Sequence, residues 1–473
     1  MKKKGILSLV GLGIAGFLAT VAYVNHFDNQ QKEKLLAQSV VQDPSAKLVE
    51  QVLYDNQCQY CHTPNAEVPF YINLPIVNSI MQDDINKALD HFLLREIVDH
   101  LDNPQQISAT ALAKLERVVI NDEMPTKSFV HLHWGSSLNA EEQKVLLDWI
   151  RKQRQDHLLP ANTEGASATR FIQPIPDSLK TESAKVALGN LLFHSTALSG
   201  DDTISCASCH GLNTGGVDNL ATSTGIHGQK GGINAPTVYN AAFNFVQFWD
   251  GRAATLADQA GGPPFNPVEM GSKDWAEIIA KLEQDAELKA AFLQVYPDGF
   301  SGDNITNAIA EFEKTLITPN SPFDRYLKGD ASALTASQQH GYALFQQYKC
   351  DTCHSGINMG GNSYELMGTK ANYFADRGTP LTADDNGRFS QTQDPRDKHR
   401  FKVPSLRNIA LTGPYFHDAN AENLQQAVEM MLKYQSGVTL PQQDVSDMVD
   451  FLHSLTGELN GKTLVNEKVN EKQ

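Results

Sequence analysis

The 473-residue chain contains six cysteines, and all of them fall in three copies of one pattern, C-x-x-C-H. The copies read CQYCH (Cys58 to His62), CASCH (Cys206 to His210) and CDTCH (Cys350 to His354). With fifteen histidines in the chain, a single chance copy is expected roughly once in a few hundred such chains. Two thiols at this spacing can add to the two vinyl groups of a haem, while the adjoining imidazole reaches the iron. The pattern therefore predicts three covalently bound haem c groups, on Cys58, Cys61 and His62, on Cys206, Cys209 and His210, and on Cys350, Cys353 and His354. Zinc is the competing reading, but each motif would need a second ligand pair and no cysteine is left over. Disulfides are the other competitor.

What each haem does depends on its sixth ligand. A haem closed by Met opposite His carries electrons, whereas one that does chemistry must open that position. The first motif is followed by Met124 in "NDEMPTKSF", with Pro125 setting a defined turn and His131 and His133 close behind; Met81 or a histidine is the alternative ligand. The third motif is followed by five methionines. Met359 lies too soon after His354, and Met448 sits in a terminal helix where Met packs cores, which leaves Met367, Met430 and Met431. The middle region differs: between His210 and Ser337 it holds one histidine, His227, and one methionine, Met270, beside Glu269 in "NPVEMG". A carboxylate next to the only Met suggests acid/base chemistry and marks the middle haem as the reactive one.

The elements that must position these residues recur. "SAKVALGNLLF" precedes Cys206 and "QQHGYALFQQYK" precedes Cys350, sharing the signature Gly189-x-x-Leu192-Phe193 and Gly341-x-x-Leu344-Phe345. "LVEQVLYDNQ" before Cys58 is looser. Each module ends in an amphipathic segment, "EEQKVLLDWIRKQ", "ITNAIAEFEKTL" or "VSDMVDFLHSL", with apolar residues three and four apart. A helix before the haem crossed by a helix at the end is a minimal cytochrome c plan, present three times. Strand signals are sparse. The fold class expected is mainly α, three cytochrome c-type haem domains with long loops, preceded by an N-terminal transmembrane helix.

That helix follows from MKKKG and the uncharged run Gly5 to Val24; twenty residues at 1.5 Å rise span about 30 Å, one bilayer core. Lysines before it place the remainder outside the cytoplasm. A cleaved signal peptide is the alternative, and the length of the run favours a retained anchor. The expected organisation is an anchor at 1–26, an electron-entry domain at 27–160, a reactive haem domain at 161–330 and an electron-transferring haem domain at 331–473. Small polar stretches at Pro160 to Thr169 and Lys328 to Ser337 are the linkers, and the polar end "NGKTLVNEKVNEKQ" is expected to fray. A formal charge of −16 argues against nucleic acid as a partner.

The string from "CASCHGLNTGG" through "QFWDGR" to "NPVEM", followed by "CDTCH" and "FKVPSLRNIALTGPYFHDANAENLQQAVEMMLKYQSG", resembles the bacterial di-haem cytochrome c peroxidases over roughly residues 170 to 457. With the added first module and anchor, the chain resembles their trihaem membrane-anchored members, described as quinol peroxidases. The resemblance implies that Glu269 is the catalytic glutamate, Gln259 its partner and Trp249 the tryptophan between two haems. It also implies that Met431 is the axial ligand of the electron-transferring haem. Asn234, Thr412 and Pro414 match a calcium site, for which carbonyl and amide oxygens are suitable ligands. Hydrogen peroxide would be the substrate and quinol or a small periplasmic protein the electron donor, with the haem domains in the periplasm, the anchor in the inner membrane and a homodimer as a candidate assembly.

One departure stands out. Where the family places a histidine that closes the resting reactive haem, "STGIHGQKG" has Ile226, with His227 one residue later. Either the loop shifts so that His227 ligates, or the site stays open. The rival to an enzyme is a non-catalytic trihaem electron carrier. A relative that oxidises a protein side chain would carry Tyr at the place of Met431.

Overall fold

The computed structural model describes residues 2–158 and 170–467, which fall in two compact units, Met1–Leu159 and Pro160–Gln473. Taken together the described residues are mostly helical, and the strands among them form two two-stranded sheets. The predicted linker Pro160 to Thr169 lies outside the described residues.

In the first unit, helix α1 (Lys2–Ala37) runs well past the predicted end of the anchor at residue 26. No Gly or Pro follows Gly16 within it, and the Gln-, Lys-, Glu- and Leu-rich stretch beyond Asn25 favours continued helix. Its outer face leaves Val10, Leu12, Ile14, Phe17 and Leu18 exposed, while Val21, Val24 and Asp28, three and four apart, are buried. Ion pairs from Lys32 to Asp55 (2.9 Å) and from Lys34 to Glu67 (2.7 Å) tie its end to the body of the unit. Helix α2 (Pro44–Asp55) starts at Asp43, whose carboxylate accepts from the Ala46 N–H, and it delivers the chain to Cys58. Helix α3 (Ala109–Ile120) is capped by Ser108. Helix α4 (Ala140–Gln153) opens on a reciprocal cap between Asn139 and Glu142, the arrangement that satisfies two otherwise orphaned N–H groups. Val49, Leu53, Leu112, Leu146, Trp149 and Ile150 share one apolar core. Buried Glu116 on α3 receives Arg154 Nη2 at 2.6 Å and locks the turn after α4.

The second unit repeats the plan twice. Helix α5 (Ser183–Phe193) precedes Cys206 and packs against α6 (Gly302–Glu313). Helix α7 (Ala336–Gln347) precedes Cys350 and packs against α9 (Gln442–His453), with α8 (Leu424–Met431) also on α9. The shared glycine signature is explained by these crossings. A Cβ on Gly189 would sit 1.9 Å from the Ala308 carbonyl oxygen, and one on Gly341 would sit 2.0 Å from that of Asp447. Each glycine lets two helix backbones touch. The Leu and Phe three and four residues later, Leu192 and Phe193 or Leu344 and Phe345, are buried beside the crossing. The looser first module has no such glycine in α2.

Two ties draw the halves of the second unit together. Fully buried Arg407 pairs with Asp324 at 2.9 Å and donates to the carbonyls of Ile357 and Gln173. The short antiparallel pair β1 (Tyr364–Leu366) and β2 (Arg400–Lys402) brings Lys402 to the segment around Trp249, where its N–H donates to the Trp249 carbonyl. Residues 460–467 correct the expectation of fraying, and the rest of that stretch, 468–473, lies outside the described residues. Strands β3 (Glu458–Leu459) and β4 (Lys462–Thr463) form a hairpin, and Asn466, 2% exposed, donates to the carbonyls of Leu411 (2.7 Å) and Thr214 (3.3 Å). The Leu411 carbonyl also accepts from Asn219 Nδ2 at 3.0 Å, so two side-chain amides share it.

Gly341→Ala is expected to destabilise the second unit by about 2 kcal/mol, because backbone lies where the methyl must go. Thermal melts of Gly341→Ala and of an exposed control, Gly378→Ala, check it, allowing for the positive φ of Gly378.

Candidate functional site

Each C-x-x-C-H motif forms one helical turn, and the histidine that ends it has its ring fixed from behind. His62 Nδ1 lies 2.9 Å from the Phe92 carbonyl, His354 Nδ1 lies 3.1 Å from that of Met359, and His210 Nδ1 lies 3.4 Å from that of Gly216. A carbonyl can only accept, so Nδ1 carries the hydrogen and Nε2 keeps its lone pair for a metal. Burial pushes the pKa of all three rings down, that of His354 to about 4, which keeps the imidazoles neutral. No disulfide joins the cysteines among the described residues, and burial raises the Cys58, Cys206 and Cys350 thiols to about 12. A neutral imidazole with Nε2 free beside a C-x-x-C pair is the donor set that a covalently attached haem requires.

The middle motif opens onto a cavity of about 560 Å³ lined by Cys206, Cys209, His210, Trp249, Gln259 and Glu269. Its size and mainly apolar walls match a cofactor site. Gln259 reaches it from the short helix Leu256–Ala260, which begins at a Thr255–Asp258 cap. Glu269 sits in a turn whose head is Asn266: the Glu269 N–H donates to the Asn266 carbonyl, and Asn266 Nδ2 donates to Glu269 Oε1 at 2.7 Å. Burial raises the Glu269 pKa, while the Arg252 guanidinium and the Asn266 hydrogen bond pull it back. Asn266 and Arg252 were missed at the sequence level. Both stand within the quoted strings "NPVEM" and "FWDGR" or at their edge, but nothing in their spacing says that they converge on one carboxylate.

Two buried ionisable groups on the cavity wall were also missed. Glu313 at the end of α6 is pushed up to about 8 by burial, and Lys402 on β2 is pushed down to about 8 by the same cause. Trp249 donates through Nε1 to the Asn234 carbonyl at 2.8 Å and meets Phe401 and His417 edge-on at 6.3 Å. It thus stands where the two haem modules of this unit join.

His227 does not reach the cavity, a correction to its reading as a metal ligand. The Ile226 N–H donates to the Glu269 carbonyl at 2.9 Å, and the Ile226 side chain is buried. A Cβ on Gly225 would fall 2.0 Å from the Val268 carbonyl oxygen, so this glycine permits the loop to lie directly on the Glu269 turn. His227 follows with φ of +55° and turns outward, its Nδ1 3.5 Å from Asp201, its side chain 68% exposed. The apolar residue is buried against Gly271, and the adjacent imidazole is left in water.

Among the methionines after the third motif, Met359 and Met448 are core residues, and Met367 and Met430 pack on apolar clusters. Met431 ends α8 half-buried and joins none of the apolar clusters among the described residues. In the first unit Met124 follows α3 and is 38% exposed, while Met81 packs beside Tyr71 and Ile72. His133 has both ring nitrogens engaged, by Asp28 and Tyr71. Asn234 joins the segment carrying Thr412 and Pro414 through its N–H, which donates to the His417 carbonyl at 2.8 Å. Its side-chain amide donates to the Leu220 carbonyl at 2.9 Å.

Crossed helices, ring-fixed histidines and a cavity beside a buried carboxyl define a haem c protein with a reactive centre. The comparisons agree. Residues 183–332 match the family model of the di-haem cytochrome c peroxidases, and residues 16–152 match that of a haem-binding domain. The chain is 49% identical to the cytochrome c peroxidase Ccp of Escherichia coli (strain K12) over 96% of its own length and 98% of the relative's. It is 45% identical to the cytochrome c551 peroxidase of Nitrosomonas europaea, over 62% of this chain and 86% of that one. Among solved structures, a MauG-like protein associated with microbial copper homeostasis is similar with a TM-score of 0.54 and 28% identity, covering 63% of this chain and 95% of that one. The chain belongs to the bacterial di-haem cytochrome c peroxidase family, and it is a peroxidase, an oxidoreductase.

Asn266→Ala removes one of the two influences that hold the Glu269 pKa down. The carboxyl is therefore expected to stay protonated to higher pH than in the wild type, read from its C=O band in pH-difference infrared spectra against a Glu269→Gln control.

Proposed function

We propose that the protein reduces hydrogen peroxide to water at the haem held by Cys206, Cys209 and His210. The observation that carries this reading is the half-buried Glu269 on the wall of the same cavity as His210, with a pKa raised by burial. When bound, that haem supplies the iron that takes peroxide and passes it electrons. Glu269 accepts the proton of the near peroxide oxygen and returns it to the far one, so that water leaves in place of hydroxide. Gln259 orients peroxide by hydrogen bonding. Overall, one peroxide, two electrons and two protons give two waters. Ile226, on the Glu269 turn, leaves His227 turned out to solvent, so no side chain of this loop would have to leave before peroxide enters.

The other two motifs hold electron-carrying haems, closed by Met124 in the first module and by Met431 in the third. Trp249 lies on the route between the third and middle centres. Electrons enter at the first module from quinol, in keeping with the haem-binding-domain match and with a helix long and apolar enough to cross a membrane. In this reading α1 is a retained inner-membrane anchor and the haem domains are periplasmic. Asn234, Thr412 and Pro414 offer oxygens for a calcium ion at the join of the middle and third modules.

A carrier with three closed haems would be low-spin at every potential. The proposal expects a high-spin haem in the electron paramagnetic resonance spectrum of the oxidised protein, converted by added peroxide. Its absence at all potentials would sink the reading. Glu269→Gln should keep that signal and lower peroxide turnover by about 100-fold; unchanged turnover would remove Glu269 from the mechanism.

A further inference from the structure

The first unit contains a buried polar network that peroxide reduction does not use. His133, 0% exposed, stacks on Phe129 with ring centroids 3.8 Å apart. Its Nδ1 lies 2.7 Å from Asp28 Oδ2, and its Nε2 lies 2.6 Å from the Tyr71 hydroxyl. The Tyr60 hydroxyl donates to the other oxygen of Asp28 at 2.9 Å. An Asp28 carboxylate accepts the Nδ1 hydrogen, so Nε2 accepts from the Tyr71 O–H. Burial first, then the Asp28 charge, raises the Tyr71 pKa and keeps its hydroxyl protonated. Two acceptors and two hydroxyls thus form a line of exchangeable protons in an apolar surround.

Its position is as informative as its chemistry. Asp28 lies on α1 four residues beyond Val24, about 6 Å past the end of the apolar run. Tyr60 belongs to the CQYCH motif itself. Tyr71 packs with Val24 and Ile72, and the adjacent Phe70 is 52% exposed and 5.1 Å from Tyr23 of α1. Trp134, 56% exposed, pairs with Phe17 of α1 at 6.4 Å. Exposed aromatic rings around the emerging end of an apolar helix are the pattern of a membrane interface. The network therefore lies between a membrane-facing aromatic collar and a haem-attachment motif.

We infer that Tyr71, His133 and Asp28 form the proton-accepting side of a site that oxidises a membrane-dissolved quinol, an aromatic 1,4-diol with an apolar tail, beside the first haem. This rests on the proposal that quinol is the donor. Quinol oxidation to quinone breaks two O–H bonds and releases two protons and two electrons. The electrons go one at a time to the centre attached at Cys58 and Cys61. For each, the quinol hydroxyl gives its proton to the Tyr71 oxygen as the Tyr71 proton moves to His133 Nε2. The Asp28 carboxylate offsets the imidazolium charge, takes the Nδ1 proton and passes it to water from its 8% exposed side chain, and the ring returns to its Nδ1–H tautomer before the second transfer. Tyr71 meets the quinol; His133 and Asp28 act through it. The other charged or titratable groups acting on the network are Glu67, on Tyr60, and Cys61, on Tyr71.

Tyr71→Phe keeps the ring and removes only the relay hydroxyl; Asp28→Asn keeps the volume and removes the charge. The holoenzyme in lipid nanodiscs is reduced by a short-chain menaquinol or by ascorbate with a soluble mediator, and the rate at which the first haem is reduced is followed by stopped flow. The inference expects both variants to slow menaquinol reduction at least tenfold, to lose its solvent deuterium isotope effect, and to keep the ascorbate rate, haem spectrum and melting temperature. A wild type that menaquinol does not reduce overturns the donor proposal and this inference with it. A wild type reduced by menaquinol with both variants equally fast overturns the inference alone, and so does equal slowing with both donors, which marks a structural role.

Discussion

The proximal imidazole, held neutral and aimed by a backbone carbonyl behind it, is the constraint on which the rest of the structure depends. A carbonyl from Phe92, Gly216 or Met359 fixes each Nδ1. Gly216 and Met359 lie in the loops that follow their motifs, and Phe92 lies just past the helix Pro75–His91. Such a loop holds its place only if the helix before the motif and the helix at the module's end are already locked. In the second unit that lock is the backbone contact at Gly189 and Gly341. In the first it is side-chain packing around Trp149 and Ile150, reinforced by Glu116 and Arg154. Helix crossing, loop placement and ring orientation form one chain of dependence, and a cofactor site lies at its end.

The same frame reaches different ends in the two modules of the second unit. After His210 the chain folds back so that Ile226 binds the Glu269 backbone, and a carboxyl that is half out of water faces the cavity. After His354 the loops are filled by Met359, Met367 and Met430, and α8 brings Met431 to its last turn. In the proposed function, a carboxyl on one side and a thioether on the other would suit one centre to proton transfer and the other to electron storage. Trp249, donating to Asn234 and gripped by Lys402, joins the two. The buried Arg407–Asp324 pair is costly to desolvate and gains its value from the carbonyls that also accept from Arg407.

The first unit binds its apolar helix as part of its own core. Val21, Val24 and Asp28 face inward, and Lys32 and Lys34 strap the helix end. Helix and haem module are one folded body there, so a residue of α1 can take part in chemistry beside CQYCH.

Residue type and spacing alone established the haem motifs, because thiol addition and iron ligation require that order of groups. They established the mainly helical plan as well, because apolar residues three and four apart bury only on helices. They also marked Glu269 as the odd residue of the middle module. Its partners Asn266 and Arg252, the buried Glu313 and Lys402, and the Asp28–His133 contact across 105 residues had no local signal. Nor did the outward turn of His227, one residue from the inward Ile226, or the docking of Asn466 on carbonyls more than fifty residues away. Covalent chemistry and helical periodicity are short-range properties that a sequence carries openly. Burial, which sets a carboxyl's proton affinity and decides which of two neighbours turns inward, exists only once distant segments have closed around them.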